Sequence, residues 1–251
     1  MGQPIDHSLE TLLNAGNYRD RIRFITVPRT KGVKERTDFE GAKWEVSSPE
    51  TTMDCSAAGY FFARQLTETL HLPVGLVINS WGGSRIEAWM TEETLASVEG
   101  ANIEAAKNPK LDTNSRLQCL YNIMLLPVKN YTARGFLWYQ GESNLFNYQI
   151  YAPMMVQLWR NVWETPDMPF YYVQIAPHKY GNSRNINSAL LQEAQMKALQ
   201  TIPNSGMIPT IDVGDEFCIH PPQKNVVGLR LANLALTKTC LLYTSPSPRD
   251  R

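Results

Sequence analysis

The sequence predicts an α/β domain, a parallel sheet with helices on both faces. Three observations carry that prediction. Short, mostly apolar runs recur along the chain. Helical patterns with apolar positions three to four residues apart alternate with them. The chain has 251 residues, 43% of them hydrophobic, enough for the core of one large α/β domain.

The elements follow in order. Arg21 to Val27 reads R-I-R-F-I-T-V and alternates polar with apolar, as a half-exposed strand does. Ala58, Phe62, Leu66 and Leu70 recur at four-residue spacing behind Asp54, a candidate helix cap. Val74–Ile78, Gly135–Tyr139, Phe170–Ile175 and Met207–Ile211 are short apolar runs of the kind that form parallel strands buried on both faces. Met155, Leu158, Trp159 and Val162 make one helical stripe between them. Leu190, Ala194 and Lys197–Ala198 make a weaker one, and Val227, Leu231 and Leu234 the last. In such a fold ligands sit beyond the carboxyl ends of the strands, so functional residues are expected just after strand ends.

Composition excludes some classes. Lys plus Arg number 24 and Asp plus Glu number 24, so the formal net charge is zero. A balanced chain argues against nucleic acid or an acidic membrane surface as the main partner. No apolar run of about 18 residues is present, so no membrane insertion is expected. Cys55, Cys119, Cys218 and Cys240 show neither C-x-x-C spacing nor a grouping with histidine, so neither a metal nor another cofactor is expected.

Three segments stand at strand ends. In Val74–Met90, V-G-L-V-I-N-S-W-G-G-S-R-I-E-A-W-M, two glycines follow the strand. Adjacent glycines present backbone N–H groups without a side chain in the way, as an oxyanion hole requires; a plain strand-to-helix turn is the alternative. In Gly135–Asn144, G-F-L-W-Y-Q-G-E-S-N, an apolar strand runs straight into Gln140, Glu142 and Ser143. Buried polar groups there need partners or cost about 1–3 kcal/mol each. In Ile211–Ala232, Asp212 and Asp215 precede His220-Pro221. That order suits a histidine base oriented by a carboxylate.

Together these blocks resemble the sialate O-acetylesterase and acetylxylan-esterase-like branch of the SGNH hydrolases. The family's pattern runs S-G-Q-S-N-M, then P-V-G-L-I-x-x-S-W-G-G-T-x-I-E-A-W, L-Y-N-G-M-I-x-P, G-x-x-W-Y-Q-G-E-S-N and I-H-P-x-x-K-x-x-V-G-x-R-L-A. Pro73–Met90, Leu120–Pro127, Gly135–Asn144 and Ile219–Ala232 are similar to the last four. The resemblance covers roughly Arg21 to Leu236. It implies a three-layer, flavodoxin-like SGNH fold and serine-type removal of acetyl groups from sialic acid or acetylated polysaccharide, without a cofactor. It implies His220 as base, Gly83 (or Gly82) and Gln140 as oxyanion donors, and Glu142 as a group that orients a neighbour or a sugar hydroxyl. It also implies a periplasmic or secreted protein.

One departure from the pattern matters. The aspartate of the common D-x-x-H is replaced by Phe217, which leaves Asp215, Asp212 or a backbone carbonyl to orient His220, with Asp215 preferred. Arg85 is a candidate for a sialic acid carboxylate, or for a partner of Glu87. Met1 stands where the last letter of S-G-Q-S-N-M would, so the nucleophilic serine and the first strand are expected upstream of it. At the other end, residues 240–251 resemble a translated sequencing adapter. The domain is therefore expected to occupy 1–239, with 240–251 a non-native tail. A non-catalytic carbohydrate-binding relative of the same fold is the competing reading.

Overall fold

The computed structural model describes residues 5–142, 144, 147–179 and 187–239. Among these residues six strands form two three-stranded sheets. The first joins β1 (Ile22–Thr26), β2 (Glu45–Val46) and β3 (Val74–Ile78) in the order β2-β1-β3. β1 runs parallel to β3, with Ile22 opposite Val74 and Thr26 opposite Ile78, and antiparallel to the short β2. The second joins β4 (Phe136–Trp138), β5 (Phe170–Val173) and β6 (Ser205–Ile208), all parallel.

Three expectations change here. The sheet is not continuous: among the described residues β3 and β4 share no ladder. The last strand, expected at Met207–Ile211, begins and ends earlier, at Ser205 and Ile208. Apolar runs also do not all lie buried on both faces. The central β5 is buried throughout, whereas β3 is half-exposed and Leu137 of β4 is 37% exposed. β3 and β4 are edge strands of their sheets, and an edge strand has a neighbour on one side only.

Helices connect the strands. They are α1 (Ser8–Asn14), α2 (Pro49–Thr52), α3 (Ala57–Leu70), α4 (Glu92–Ala96), α5 (Ile103–Lys107), α6 (Tyr148–Val162), α7 (Asn187–Thr201) and α8 (Lys224–Thr239). The cap of α3 is Ser56, whose hydroxyl accepts from Gly59 N–H at 3.3 Å, and not Asp54. Asp54 instead lies in the turn after α2, its N–H bonded to Thr51 O.

β5 shows the three layers directly. Phe170 and Tyr172 point into a core built with Met155 and Trp159 of α6 and Leu191, Ala194 and Ala198 of α7. Tyr171 and Val173 point the other way, onto Val227, Leu231 and Ala235 of α8 and Ala58 and Phe62 of α3. The period of two along a strand produces that division. Trp138, Trp159, Trp89, Phe136 and Phe170 meet edge-to-face, with centroids 5.3–6.4 Å apart, the arrangement that ring quadrupoles favour. α3 is used on two sides: Ala58 and Phe62 meet α8, while Tyr60 and Ala63 pack with Ile22 under the first sheet.

Candidate active site

The turn after β3 is built by Asn114. Its Nδ2 donates to Gly82 O at 2.7 Å, and its carbonyl accepts from Arg85 N–H at 3.2 Å. Gly83 takes φ +71°, the left-handed region that a residue with a Cβ enters at a cost. Among the described residues neither Gly82 N–H nor Gly83 N–H has a hydrogen-bond partner, and both glycines are exposed. A backbone donor left open at a strand end is what an oxyanion hole needs. Ser84 is buried, and its hydroxyl accepts from the Trp89 indole at 3.1 Å.

The segment after β4 interlocks with this turn. Gln140, 8% exposed, donates from Nε2 to Ser84 O at 2.8 Å and to Asn144 Oδ1 at 2.6 Å. Asn144 Oδ1 also accepts from Ile86 N–H at 2.9 Å, and Asn144 Nδ2 donates to Glu87 Oε2 at 2.9 Å. Because Ile86 N–H fixes Asn144 Oδ1 as an acceptor, the orientation of the Gln140 amide follows. Both of its protons are engaged, and Gln140 Oε1 is left as a buried acceptor with no partner among the described residues. The amide is therefore unavailable, in this arrangement, as the side-chain oxyanion donor that the resemblance implies. It braces the turn below Gly83. Glu87 is taken by Asn144, and no Arg85–Glu87 pair forms; Arg85 has no side-chain partner among the described residues. Ser143 lies outside the described residues.

Gln195 of α7 completes the brace. Fully buried, it donates from Nε2 to Gln140 O at 3.2 Å and Val173 O at 3.3 Å, and accepts at Oε1 from Ile175 N–H at 2.9 Å. It therefore ties the end of β5 to the end of β4.

The third segment follows β6. Asp212 is held by Arg230, with contacts of 2.7 and 2.5 Å, and does not orient His220. Asp215 Oδ1 accepts from Phe217 N–H at 2.7 Å and Cys218 N–H at 3.0 Å, which folds the loop that carries His220. Cys218 Sγ contacts His220 O at 3.2 Å. His220 is exposed. Lys224 then opens α8. Its Nζ lies 3.4 Å from Tyr139 OH and 4.8 Å from that ring's centroid. Burial pushes the Lys224 pKa down, while the nearby Glu142 carboxylate and Cys218 oppose the shift. Lys224, Tyr139, Glu142 and Cys218 thus share one neighbourhood, and it joins the His220 loop to the β4 loop.

Sequence reasoning had passed over Asn144, Gln195 and Lys224. Asn144 and Lys224 lie within the family blocks, so their position was a signal; Gln195 lies on a helix stripe without a motif. Among the described residues no group of three or more His, Cys, Asp or Glu is placed to hold a metal. None of the described helices is long and apolar enough to cross a membrane.

The chain resembles known proteins over this same region. Residues 35–237 match the family model described as "Carbohydrate esterase, sialic acid-specific acetylesterase". Sialate O-acetylesterases from Pongo abelii and Homo sapiens are each 27% identical over 277 residues, covering 97% of this chain and 52% of theirs. That from Mus musculus is 29% identical, covering 77% of this chain and 45% of its own. The chain thus spans about half the length of the curated relatives it matches. A carbohydrate acetylesterase from Xanthomonas citri superposes with a TM-score of 0.81 at 31% identity, covering 93% of this chain and 52% of that one. An Arabidopsis thaliana protein, 18% identical with a TM-score of 0.58 over 86% of this chain and 82% of its own, shares the fold.

Proposed function

Since the chain belongs to the sialic acid-specific acetylesterase family of carbohydrate esterases, we propose that it forms part of a carbohydrate O-acetylesterase that works by serine-type hydrolysis. The observation that carries this reading is the joining of three strand-end loops. Gln140 bonds Ser84 O at 2.8 Å, and Lys224 reaches Tyr139 OH at 3.4 Å.

The roles follow from the chemistry at each atom. A serine hydroxyl attacks the acetyl carbonyl, and His220 takes its proton and returns it to the leaving sugar oxygen. Gly83 N–H, open toward solvent, stabilises the oxyanion. Asp215 shapes the His220 loop through Phe217 N–H and Cys218 N–H. Glu142, close enough to Lys224 to oppose the fall of its pKa, orients a neighbouring group or a sugar hydroxyl. Arg85, half-buried and without a side-chain partner among the described residues, suits the carboxylate of a sialic acid. Gln140 Oε1 accepts from a donor brought by the segment that carries the serine. The Ser84 hydroxyl is not offered as that serine, since it is buried and accepts from the Trp89 indole. The match to carbohydrate esterases supports the periplasm or the exterior as the proposed location.

The test compares residues 1–251 with a chain extended upstream through S-G-Q-S-N. Acetate release is measured from an O-acetylated sialoside and from acetylated xylan. The extended chain should turn over one of them, and the unextended chain neither. His220→Ala in the extended chain should lower turnover by several orders of magnitude, and Asp215→Asn by less. Turnover that survives His220→Ala would refute the assignment of the base. If neither chain releases acetate but both bind glycans, the non-catalytic carbohydrate-binding reading replaces this one.

A further inference from the structure

The chain that joins His220 to the last helix is short and stiff. His220 is followed by Pro221 and Pro222, whose rings fix φ, and α8 opens at Lys224 two residues later. Pro222 O accepts from Lys224 N–H at 2.7 Å and from Asp6 N–H at 3.1 Å, so the turn is tied at its middle. His220 itself is exposed. The anchorage of the Lys224 side chain therefore bears on where the imidazole stands.

That side chain sits where a cation is disfavoured. Lys224 is the first residue of a 16-residue helix, the end at which the backbone dipoles present positive charge. It is also half-buried, and burial pushes its pKa down. Tyr139 and Glu142 offset these effects. Lys224 Nζ lies 4.8 Å from the Tyr139 ring centroid and 3.4 Å from Tyr139 OH, and Glu142 acts on it as an opposite charge. Cys218, whose Sγ meets His220 O at 3.2 Å, is near enough to act on it as well. The ammonium thus stands between the His220 turn and the segment after β4. We propose that Lys224 is a positioning residue for the acetyl-ester hydrolysis, its ammonium clamping the His220 turn onto Tyr139 and Glu142 and so setting the imidazole against the attacking serine.

The clamp works because one of its jaws is rigid. Between Tyr139 and Glu142, Gln140 donates to Ser84 O and Asn144 Oδ1. Gly141 is packed so closely that a Cβ there would lie 2.8 Å from Ile175 Cγ2 and 3.1 Å from Gln195 Nε2. The other jaw is the exposed turn, stiffened by its two prolines. A charge fits this task better than an apolar side chain of the same length. Methionine would fill the space without the desolvation and the dipole against it, but it would hold neither the ring face nor the carboxylate. The proposal rests on the esterase reading for the role of His220, while the clamp itself is a statement about geometry.

The experiment uses the chain extended upstream through S-G-Q-S-N and its Lys224→Met, Lys224→Gln and Lys224→Arg variants, with an aryl acetate as substrate. Lys224→Met and Lys224→Gln should lower kcat about 10- to 100-fold with KM little changed, the cost of a misplaced catalytic group. Lys224→Arg, which keeps the charge and can stack on Tyr139, should recover part of the loss. The urea midpoint of Lys224→Met should be no lower than that of the parent. A second arm needs no turnover: NMR should show the Lys224 ε-protons shifted upfield by the Tyr139 ring, and Lys224→Met should move the His220 imidazole signals. Unmoved imidazole signals would overturn the proposal. So would a rise in KM with kcat kept, which marks a substrate contact, or a fall in the urea midpoint with kcat kept, which marks a structural lysine. An extended chain that releases no acetate refutes the esterase reading instead, and the imidazole signals still decide the clamp.

Discussion

Replacing Gln195 by leucine should cost this protein a large part of its stability, although the two side chains are similar in size. Gln195 is fully buried and serves three backbone groups: Gln140 O, Val173 O and Ile175 N–H. Leucine fills the space and serves none of them. A buried polar group stripped of its partner costs about 1–3 kcal/mol. Partial relaxation keeps the sum toward the lower end, so the expected loss is about 3–6 kcal/mol, against about 5–15 kcal/mol for a whole domain. With a urea dependence of about 1–3 kcal/mol per molar, the unfolding midpoint should fall by about 2 M. The assay is urea unfolding followed by near-UV circular dichroism, where the tryptophan cluster reports. Gln195→Glu is the companion variant. It keeps an acceptor for Ile175 N–H but sets an oxygen against two carbonyls, and it should be no better than leucine at pH 7. A midpoint shift below about 0.3 M for Gln195→Leu would refute the reasoning, because the three backbone groups would then have other partners.

Two further outcomes are expected. Arg230 holds the Asp212 carboxyl down from its ordinary 3.8 to about 2; a depressed pKa adds stability above the ordinary value, and that contribution is lost as pH falls from about 4 to about 2. Asp212→Asn should flatten the stability-against-pH curve in that window, lowering stability at pH 7, where the pair contributes fully, and leaving it unchanged below about pH 2; an unchanged slope between pH 4 and 2 would refute the pairing. Residues 240–251 should be dispensable, because the last interactions of α8 come earlier, with Leu236 buried and Lys238 Nζ on Ser205 O at 2.6 Å. A chain ending at Thr239 should melt where the full chain does, while one ending at Asn233 should not.

The alternation of elements was legible because apolar runs and helical stripes are local signals. Val74–Ile78 is a strand with those same limits. The last strand was misplaced because Ser205 and Gly206 look like turn residues. They are buried in the sheet all the same, and Leu234 of α8 lies so close to Gly206 that a Cβ there would meet it at 2.8 Å. On α7 the expected Ala194 and Ala198 do face the core, and only the first position of the stripe is displaced. Leu190 is 46% exposed while Leu191 and Gln195 are buried, because a polar residue occupies a core position for its hydrogen bonds. The site blocks were legible as blocks, but the partner of each side chain was not. Spacing cannot tell that Asp212 pairs with Arg230, or that Asn144 rather than a substrate takes the Gln140 amide. Those choices are made by loops that meet in space from distant parts of the chain.

The break between the two sheets also divides the chain in sequence: β1 to β3 come from residues 22–78 and β4 to β6 from residues 136–208. Each half is a nearly continuous stretch, so each has the makings of a cooperative unit that opens and closes by itself. What couples them on one face is the pairing of α3 with α8, where the final helix of the chain returns to an early one. The contact is so close that a Cβ at Gly228 would lie 2.5 Å from Phe61 Cβ and 2.7 Å from Ala58 O. Gly228 thus acts as a latch. With it closed, the ladder-bonded amide hydrogens of β3 and β4 should exchange mainly when both halves loosen together. With the latch forced apart, the halves would breathe separately, and the Gln140–Ser84 bond at the strand ends would be the first to feel it.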